Sequence, residues 1–263
     1  MKRRNFLKKI IGVGGLLSFS GVVYGYHSNK IRISREKIIV SDFPEKLRIV
    51  AVSDLHLPSY WIDPEYFIQL VNSENPDIFV LAGDTIDQRG NEHYAKIFKD
   101  IQVNFEKIAI LGNWEYQGLV NAVVFKKILK EAGVQFLVNE YVEVAGLNII
   151  GLDDFTQGAP DFPMIKELLK TGKPLVVLSH CPQSFDFMPL QPENPFFVIS
   201  GHTHGGQIAP FGLILHTPIG SGEYVKGWYH HQHNSMYVMR GVGTTGIPLR
   251  IGANPEILVL DIN

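Results

Sequence analysis

Gly201-His202-Thr203-His204-Gly205-Gly206 is the stretch from which the rest of the chain can be read. Two imidazoles separated by one residue, on extended backbone at a strand end, would point the same way because side chains alternate with period 2. They are therefore expected to face one metal cluster. The apolar run Phe196-Phe197-Val198-Ile199 supplies the strand before them, and Gly201, Gly205 and Gly206 let the backbone turn closely around whatever the imidazoles hold. A lone His-x-His is more often two satisfied surface histidines than two ligands, so its meaning depends on whether similar strand ends recur in the chain.

They do recur. Leu47-Arg48-Ile49-Val50-Ala51-Val52 runs into Ser53-Asp54-Leu55-His56, residues 78–81 into Gly83-Asp84, and residues 108–111 into Gly112-Asn113. Residues 147–150 run into Gly151-Leu152-Asp153-Asp154, and residues 175–178 into Ser179-His180. Each short apolar run reads as a central strand with a polar cluster at its carboxyl end, the edge at which α/β sheets bind ligands. Between the strands, residues 64–72 read as a helix with Pro64 in its first turn and Asp63 as its cap. A second helix is expected over about 119–130, an edge strand over 30–40, and a late strand over 236–239.

Collecting the strand ends gives Asp54, His56, Asp84, Asn113, His180, His202 and His204. These are hard oxygen and borderline nitrogen donors with no thiolate, suited to Mn, Fe, Zn or Ni and poorly suited to Cu(I) or an iron-sulfur cluster. Seven donors exceed what one tetrahedral ion needs. Two divalent ions about 3.5 to 4 Å apart, bridged by one carboxylate, would use all of them and give the two-metal geometry of phosphoester hydrolysis.

The order Asp54-x-His56, Gly83-Asp84, Gly112-Asn113, His180, Gly201-His202-x-His204 resembles the calcineurin-like metallophosphoesterase superfamily, from about residue 47 to the C-terminus. The resemblance implies a four-layer αββα sandwich with two central mixed sheets. It implies that Asp54, His56 and His204 hold the first metal and Asn113, His180 and His202 the second, with Asp84 bridging and with Asp84, Asn113 and His202 as catalytic residues. Two metal ions, manganese first and zinc, iron or nickel as alternatives, would activate a water, neutralise the phosphoryl oxygens and fix in-line attack. The chain departs from the pattern at Trp114, where many members of the family carry a histidine that can protonate a leaving group. A vacant role there favours leaving groups that need little protonation, such as a nucleotide phosphate or pyrophosphate. His56 and Glu115 are the candidates to fill it, and Trp114 itself reads as a wall of the cleft.

With 263 residues, 45% hydrophobic and 19% charged, the chain has the makings of one large globular domain over residues 30–263. A net charge of −2 gives no basic footprint, which argues against nucleic acid as a partner. The single cysteine, Cys181, excludes an intrachain disulfide framework. Residues 1–29 read as a separate unit: a basic start, Lys2 to Lys9, is followed by an uncharged run over 10–26. Arg3-Arg4-x-Phe6-Leu7-Lys8 resembles the twin-arginine export signal, which implies the twin-arginine translocase as a partner. The run is short for a bilayer span and lacks an Ala-x-Ala site, so retention as an N-terminal membrane anchor stands beside cleavage. The expected location is membrane-associated, on the extracytoplasmic face after export or on the cytoplasmic face if the anchor is not translocated.

The remaining candidates are secondary. Tyr60, Trp61, Trp114, Tyr116, Phe155 and Trp228 would stack on a base, line a lipid-facing groove or serve as core. Asp153 and Asp154 would orient ligand imidazoles, Arg240 or Arg250 would clamp a phosphate or pair a carboxylate, and the tract 230–235 reads as an exposed turn. The expected activity is hydrolysis of a phosphodiester or pyrophosphate bond, with a substrate similar to UDP-2,3-diacylglucosamine as the lipid-linked case. A phosphomonoesterase or protein phosphatase is the alternative. A non-catalytic scaffold is disfavoured because every ligand position is kept.

Overall fold

A computed structural model describes residues 30–40, 43, 46–58, 62–87, 92–118, 121–189 and 195–263. The expected signal or anchor over 1–29 and the loop aromatics Tyr60 and Trp61 lie outside the described residues. Two six-stranded mixed sheets form the centre. The first runs β1 (Arg32–Ile38), β12 (Glu256–Ile262), β2 (Leu47–Val52), β3 (Ile78–Ala82), β4 (Glu106–Ile110), β5 (Val134–Phe136). The second runs β10 (Gly227–His231), β11 (Asn234–Val238), β9 (Phe196–Ser200), β8 (Leu175–Leu178), β7 (Leu147–Gly151), β6 (Glu140–Val144). Strands β2 to β5 are mutually parallel, as are β7, β8, β9 and β11, so each sheet collects several strand ends along one edge.

The unbroken apolar runs in the sequence have a simple cause: the central strands are buried on both faces. Ile49, Val80 and Ile108 of the first sheet share a core with Ile149, Val176 and Ile199 of the second. The alternate residues of the first sheet, among them Val50, Phe79 and Val259, pack under helices α1 (Pro64–Ser73) and α3 (Ala122–Glu131) through Phe67, Val71, Phe125 and Leu129. On the far side Ile150, Val177 and Val198 pack under Ile165 and Leu169 of α4 (Phe162–Leu169). The result is the four-layer αββα sandwich. Each fully buried Val, Ile, Leu or Phe contributes about 1.5–3 kcal/mol, so the apolar layer between the sheets is what joins the two halves.

Local signals account for most boundaries. Asp63 caps α1 by accepting the Tyr66 N–H at 2.9 Å, with Pro64 in the first turn. The helix expected over 119–130 instead starts at Ala122, because the Asn121 carboxamide accepts the Val123 and Val124 N–H groups, both at 3.1 Å, and fixes the start there. A separate short helix, α2 (Asn113–Gln117), precedes it. The tract 230–235 is likewise not one exposed turn. His230 and His231 end β10 and Asn234 begins β11, with only two residues at the hairpin tip, and His230 pairs with Ser235 across it. The edge strand expected over 30–40 is β1.

Candidate metal centre

All seven sequence-selected donors arrive at the same edge of the sandwich and all seven are buried. The segments after β2, β3 and β4 bring Asp54, His56, Asp84 and Asn113 from the first sheet. Those after β8 and β9 bring His180, His202 and His204 from the second. Six of them assemble into two groups, Asp54 with His56 and His204, and Asp84 with His180 and His202. Within each group the ligand atoms lie within 4.8 Å of one another. Each group therefore draws on both sheets.

The backbone that aims these side chains differs from the expected extended His-x-His. His202 and His204 have φ of 73° and 52°, and Asp54, His56 and Asp84 also lie in the left-handed region at 52°, 46° and 51°. Alternation along a strand does not apply once the strand has ended, so the two imidazoles diverge, one into each group. Left-handed backbone costs about 1 kcal/mol or more for a residue with a side chain, and the tight chain paths around it hold it in place. At Gly112, for example, an added Cβ would overlap the carboxylate of Asp84, so only glycine lets the two segments approach this closely.

Hydrogen bonds fix which ring nitrogens face inward. His180 Nδ1 donates to the Ala82 carbonyl at 2.9 Å, and His202 Nε2 donates to the Ile219 carbonyl at 2.8 Å. Carbonyls only accept, so each ring carries its proton on the outer nitrogen. His180 Nε2 and His202 Nδ1 are then left facing each other 3.2 Å apart, with Asp84 Oδ2 at 3.1 Å from the former. Without metal, a proton held on His180 Nε2 by Asp84 occupies the space, and a divalent cation that displaced it would meet two ring nitrogens and a carboxylate. Metal–nitrogen bonds of about 2.0–2.1 Å, at angles between a right angle and tetrahedral, put neighbouring nitrogens about 2.8–3.4 Å apart. His56 Nε2 and His204 Nε2, at 3.1 Å, show the same spacing in the other group. Arg250 Nη2 stands 3.2 Å from His204 Nδ1, on the outer side of that ring. The Asn113 side-chain oxygen is buried with no hydrogen-bond partner, as expected of a group reserved for a ligand. The residues present fit a dinuclear metal site.

The charges agree with that reading. Burial works against a charged His180, yet Asp84 and then Asp54 override it and hold its pKa well above the ordinary histidine value. Burial pushes His56 down to about 4 despite Asp84, and burial with His56 and Arg250 holds His204 well below its usual value. Asp84 is held at about 2: burial opposes its ionisation, and His180 and His56 outweigh burial. Its Oδ1 accepts the Trp114 N–H at 2.8 Å, leaving Oδ2 at 3.1 Å from His180 Nε2 and 3.7 Å from His56 Nε2. That oxygen stands between the two groups.

Glu115 does not face the site. It is buried beneath the Asp84 loop, where its carboxylate accepts the N–H groups of Asp84, Thr85, Ile86 and Gly112 at 2.6–3.3 Å. Burial, reinforced by Asp84, raises its pKa to about 7. With both oxygens committed to the backbone it braces the segments carrying Asp84 and Asn113.

A cleft of about 440 Å³ opens over Asp84, Asn113, His202 and His204. Trp114 forms part of its wall and sets its ring edge-on to His56, with centroids 5.2 Å apart. His216 also lines the cleft, a residue the sequence reading passed over because nothing in its Leu-His-Thr context marks a strand end. The other candidates are placed elsewhere. Phe155 packs with Phe162 and Phe187, and Trp228 lies against Phe197 and donates to Glu36 at 2.8 Å. The Tyr116 hydroxyl donates to Asp153 at 2.5 Å. Asp153 and Asp154 accept from Ala159, Thr156, Gln157 and Cys181 rather than from an imidazole. Neither arginine is a phosphate clamp. Arg240 pairs with Glu256 at 2.7 Å, and Arg250 is fully buried, donating to the carbonyls of Gly243, Arg240, His204 and Ala253.

A family model described as Calcineurin-like phosphoesterase matches residues 47–206. Among similar proteins, the Uncharacterized metallophosphoesterase YkuE of Bacillus subtilis (strain 168) is 32% identical, the match covering 100% of this chain and 98% of the relative. The Uncharacterized metallophosphoesterase YkoQ of the same organism is 30% identical over 81% of this chain and 82% of its own length. Among solved structures, a novel archaeal phosphodiesterase is 18% identical with a TM-score of 0.43, over 77% of this chain and 90% of that one.

Proposed function

Because the chain belongs to the calcineurin-like phosphoesterase family, we propose that it hydrolyses a phosphodiester or pyrophosphate bond, with a nucleotide-linked lipid as the substrate type. The observation that carries a metal-dependent hydrolase is the paired, tautomer-fixed imidazole nitrogens closing on Asp84. Asp54, His56 and His204 would hold one divalent cation. His180, His202 and Asn113 would hold the other, with Asp84 placed between the two groups. When bound, two such cations supply an activated water near neutral pH and neutralise charge on the phosphoryl group.

The protein's own residues do the rest. Ala82 and Ile219 lock the ring orientations through their carbonyls, Glu115 holds the Asp84 and Gly112 backbone, and Trp114 closes one wall of the cleft. His216 is the cleft imidazole with no part in either ligand group, and it is assigned the proton donated to the leaving oxygen. Ile208, Leu215, Pro218 and Ile247 give the cleft an apolar side, which supports a substrate with a lipid portion. The basic start and uncharged run over 1–29 support a membrane-associated enzyme exported by the twin-arginine route.

The test is hydrolysis of bis-p-nitrophenyl phosphate beside p-nitrophenyl phosphate by metal-stripped protein refilled with Mn, with Asp84→Asn as control. Turnover of the diester, lost in the variant, is the expected result. Turnover of the monoester or a phosphopeptide alone would transfer the assignment to a phosphomonoesterase. No turnover with two ions bound would sink the hydrolase reading.

A further inference from the structure

The loop that follows the metal-binding histidines has an unusual surface. Residues 207–222 contain no Asp, Glu, Lys or Arg, and neither do residues 241–249. From these two segments Leu213, Leu215, Ile219 and Ile247 are exposed, Ile219 at 90% of its area. Isolated exposed apolar residues are ordinary, but several together in uncharged segments mark an interaction surface. The surface is continuous with the site. Leu215, His216 and Pro218 line the cleft from the first segment and Ile247 from the second. The two segments are tied together where Gln207 donates to the Thr245 and Ile247 carbonyls at 2.9 and 3.1 Å.

The topology brings the start of β1 to the same edge. Strand β1 is the first described element, and its Arg32 pairs with Glu256 at the start of β12. Glu256 N–H donates to the Gly241 carbonyl at 3.0 Å, and Gly241 lies against the Asp54 side chain. The chain that precedes Arg32 therefore joins the domain at the same edge that carries the metal-binding groups and the apolar rim. In that preceding chain residues 2–9 are a basic stretch and residues 10–26 an uncharged run. From these placements we infer that Leu213, Leu215, Ile219 and Ile247 seat on a lipid bilayer surface, so that the cleft opens directly onto the leaflet to which the N-terminal segment attaches.

The inference deepens the membrane-associated phosphoesterase proposed above and rests on that reading for the identity of the cleft. Seating has a direct consequence for the site, because the backbone carbonyl of Ile219 holds His202 at 2.8 Å while its side chain projects outward. The loop that meets the lipid is the one that orients a candidate metal-binding imidazole.

The experiment uses the full chain on vesicles of mixed phosphatidylethanolamine and phosphatidylglycerol. An environment-sensitive fluorophore is attached at Leu213→Cys, at Ile219→Cys or, as a control, at Lys170→Cys, which lies before β8 at the opposite edge; native Cys181 is buried. Labels at 213 and 219 are expected to shift to the blue and to be quenched by brominated acyl chains, while the label at 170 is unchanged. Adding Leu213→Asp should cut quenching at 219 about tenfold, equivalent to about 1.4 kcal/mol, and leave turnover of bis-p-nitrophenyl phosphate intact. A chain that sediments with vesicles while its 213 and 219 labels stay as wet as the 170 label would overturn the inference. So would burial of those labels in lipid-free solution with a doubling of mass, which would assign the surface to a second copy. Loss of diester turnover with label burial retained would count against the hydrolase reading alone.

Discussion

Replacing Arg250 with methionine should destabilise the protein and weaken one of its two metal positions selectively. The guanidinium is fully buried, and its charge is costly enough there that burial lowers its pKa to about 10. It is retained because it binds together three chain segments at the back of the site. Nε and Nη2 donate to the Gly243 carbonyl at 2.8 and 2.5 Å. Nη1 donates to Arg240, Ala253 and His204 at 2.8, 3.1 and 3.2 Å, and Nη2 also reaches His204 Nδ1. Methionine fills much of the space and donates nothing. The His204 carbonyl keeps the Gln207 N–H at 3.0 Å, but the Gly243, Arg240 and Ala253 carbonyls lose this donor. An unsatisfied buried acceptor costs about 1–3 kcal/mol, or about 3–9 kcal/mol for three, against which removing a buried charge returns several. The net expectation is a loss of about 1–4 kcal/mol, the unsatisfied carbonyls outweighing the relief of the buried charge. A domain of this kind has about 5–15 kcal/mol in hand, so the variant should fold.

Urea unfolding of metal-free protein measures that loss directly. Metal titration then separates two roles, because Arg250 donates to His204, a member of one of the two groups. One ion should bind as before and the other at least about tenfold more weakly, each factor of ten being about 1.4 kcal/mol. Arg250→Lys, which keeps a charge but not the fork of donors, should recover little of either. A methionine variant within about 1 kcal/mol of the parent, with both metal affinities unchanged, would refute the argument.

Other outcomes follow from the same geometry. Asp84 holds the metal-free His180 pKa well above the ordinary histidine value, so a metal ion must displace a proton there. Chelator competition should show affinity rising about tenfold per pH unit below that raised pKa, and calorimetry in two buffers should show at least one proton released; pH-independent affinity would contradict it. The same raised pKa makes His180 a stabilising contribution to the metal-free fold that is complete below the ordinary histidine pKa and is lost as pH rises through the folded value. His216→Ala should slow hydrolysis of esters with alkyl leaving groups while barely affecting p-nitrophenyl esters, and equal effects on both would remove His216 from proton donation. Glu115→Gln turns an amide NH₂ toward backbone donors that now meet a carboxylate, and should lower both stability and diester turnover. Unchanged unfolding in urea would show that those four hydrogen bonds do not brace the site.

The parts of the site that were legible in the sequence are those where a local pattern and the tertiary structure impose the same condition. A parallel strand buried on both faces is an unbroken apolar run, as at Ile78–Ala82 and Leu175–Leu178, and the first polar residue after it marks the sheet edge. That is why all seven donors could be collected from strand ends. The direction in which His202 and His204 point was not legible, because alternation presumes extended backbone and both residues lie at positive φ. Arg250 and Glu115 were misread for another reason. A charged residue near a ligand motif suggests contact with substrate, whereas the backbone groups that bury these two come from segments up to 46 residues away for Arg250 and 31 for Glu115. The place of β12 between β1 and β2 likewise follows from long-range pairing, Leu258 with Ala51, rather than from its own sequence.

The division of the ligands between the sheets carries a last prediction. Asp54 and His56 follow β2, while His204, in the same group, follows β9 of the other sheet. Asp84 follows β3, while His180 and His202 follow β8 and β9. Two bound cations would therefore tie the sheets together at one edge. The interior is already joined by the apolar layer of Ile49, Val80, Ile149 and Val176, which needs no metal. Metal removal should accordingly loosen the site edge without dissolving the sandwich. Hydrogen exchange can separate these regions: on metal loading, protection should rise at the backbone N–H groups of Asp54, His56, Asp84 and His202, and stay nearly constant in β12 and β7. The N–H of Asp54 bonds to the Gly83 carbonyl at 3.0 Å and that of His202 to Asp54 at 3.1 Å, so both report on the site segments themselves. A uniform rise across both sheets would mean that the metals set global stability. No rise at either segment would mean that the donors are already rigid and that no cation is needed to hold the two sheets' edges together.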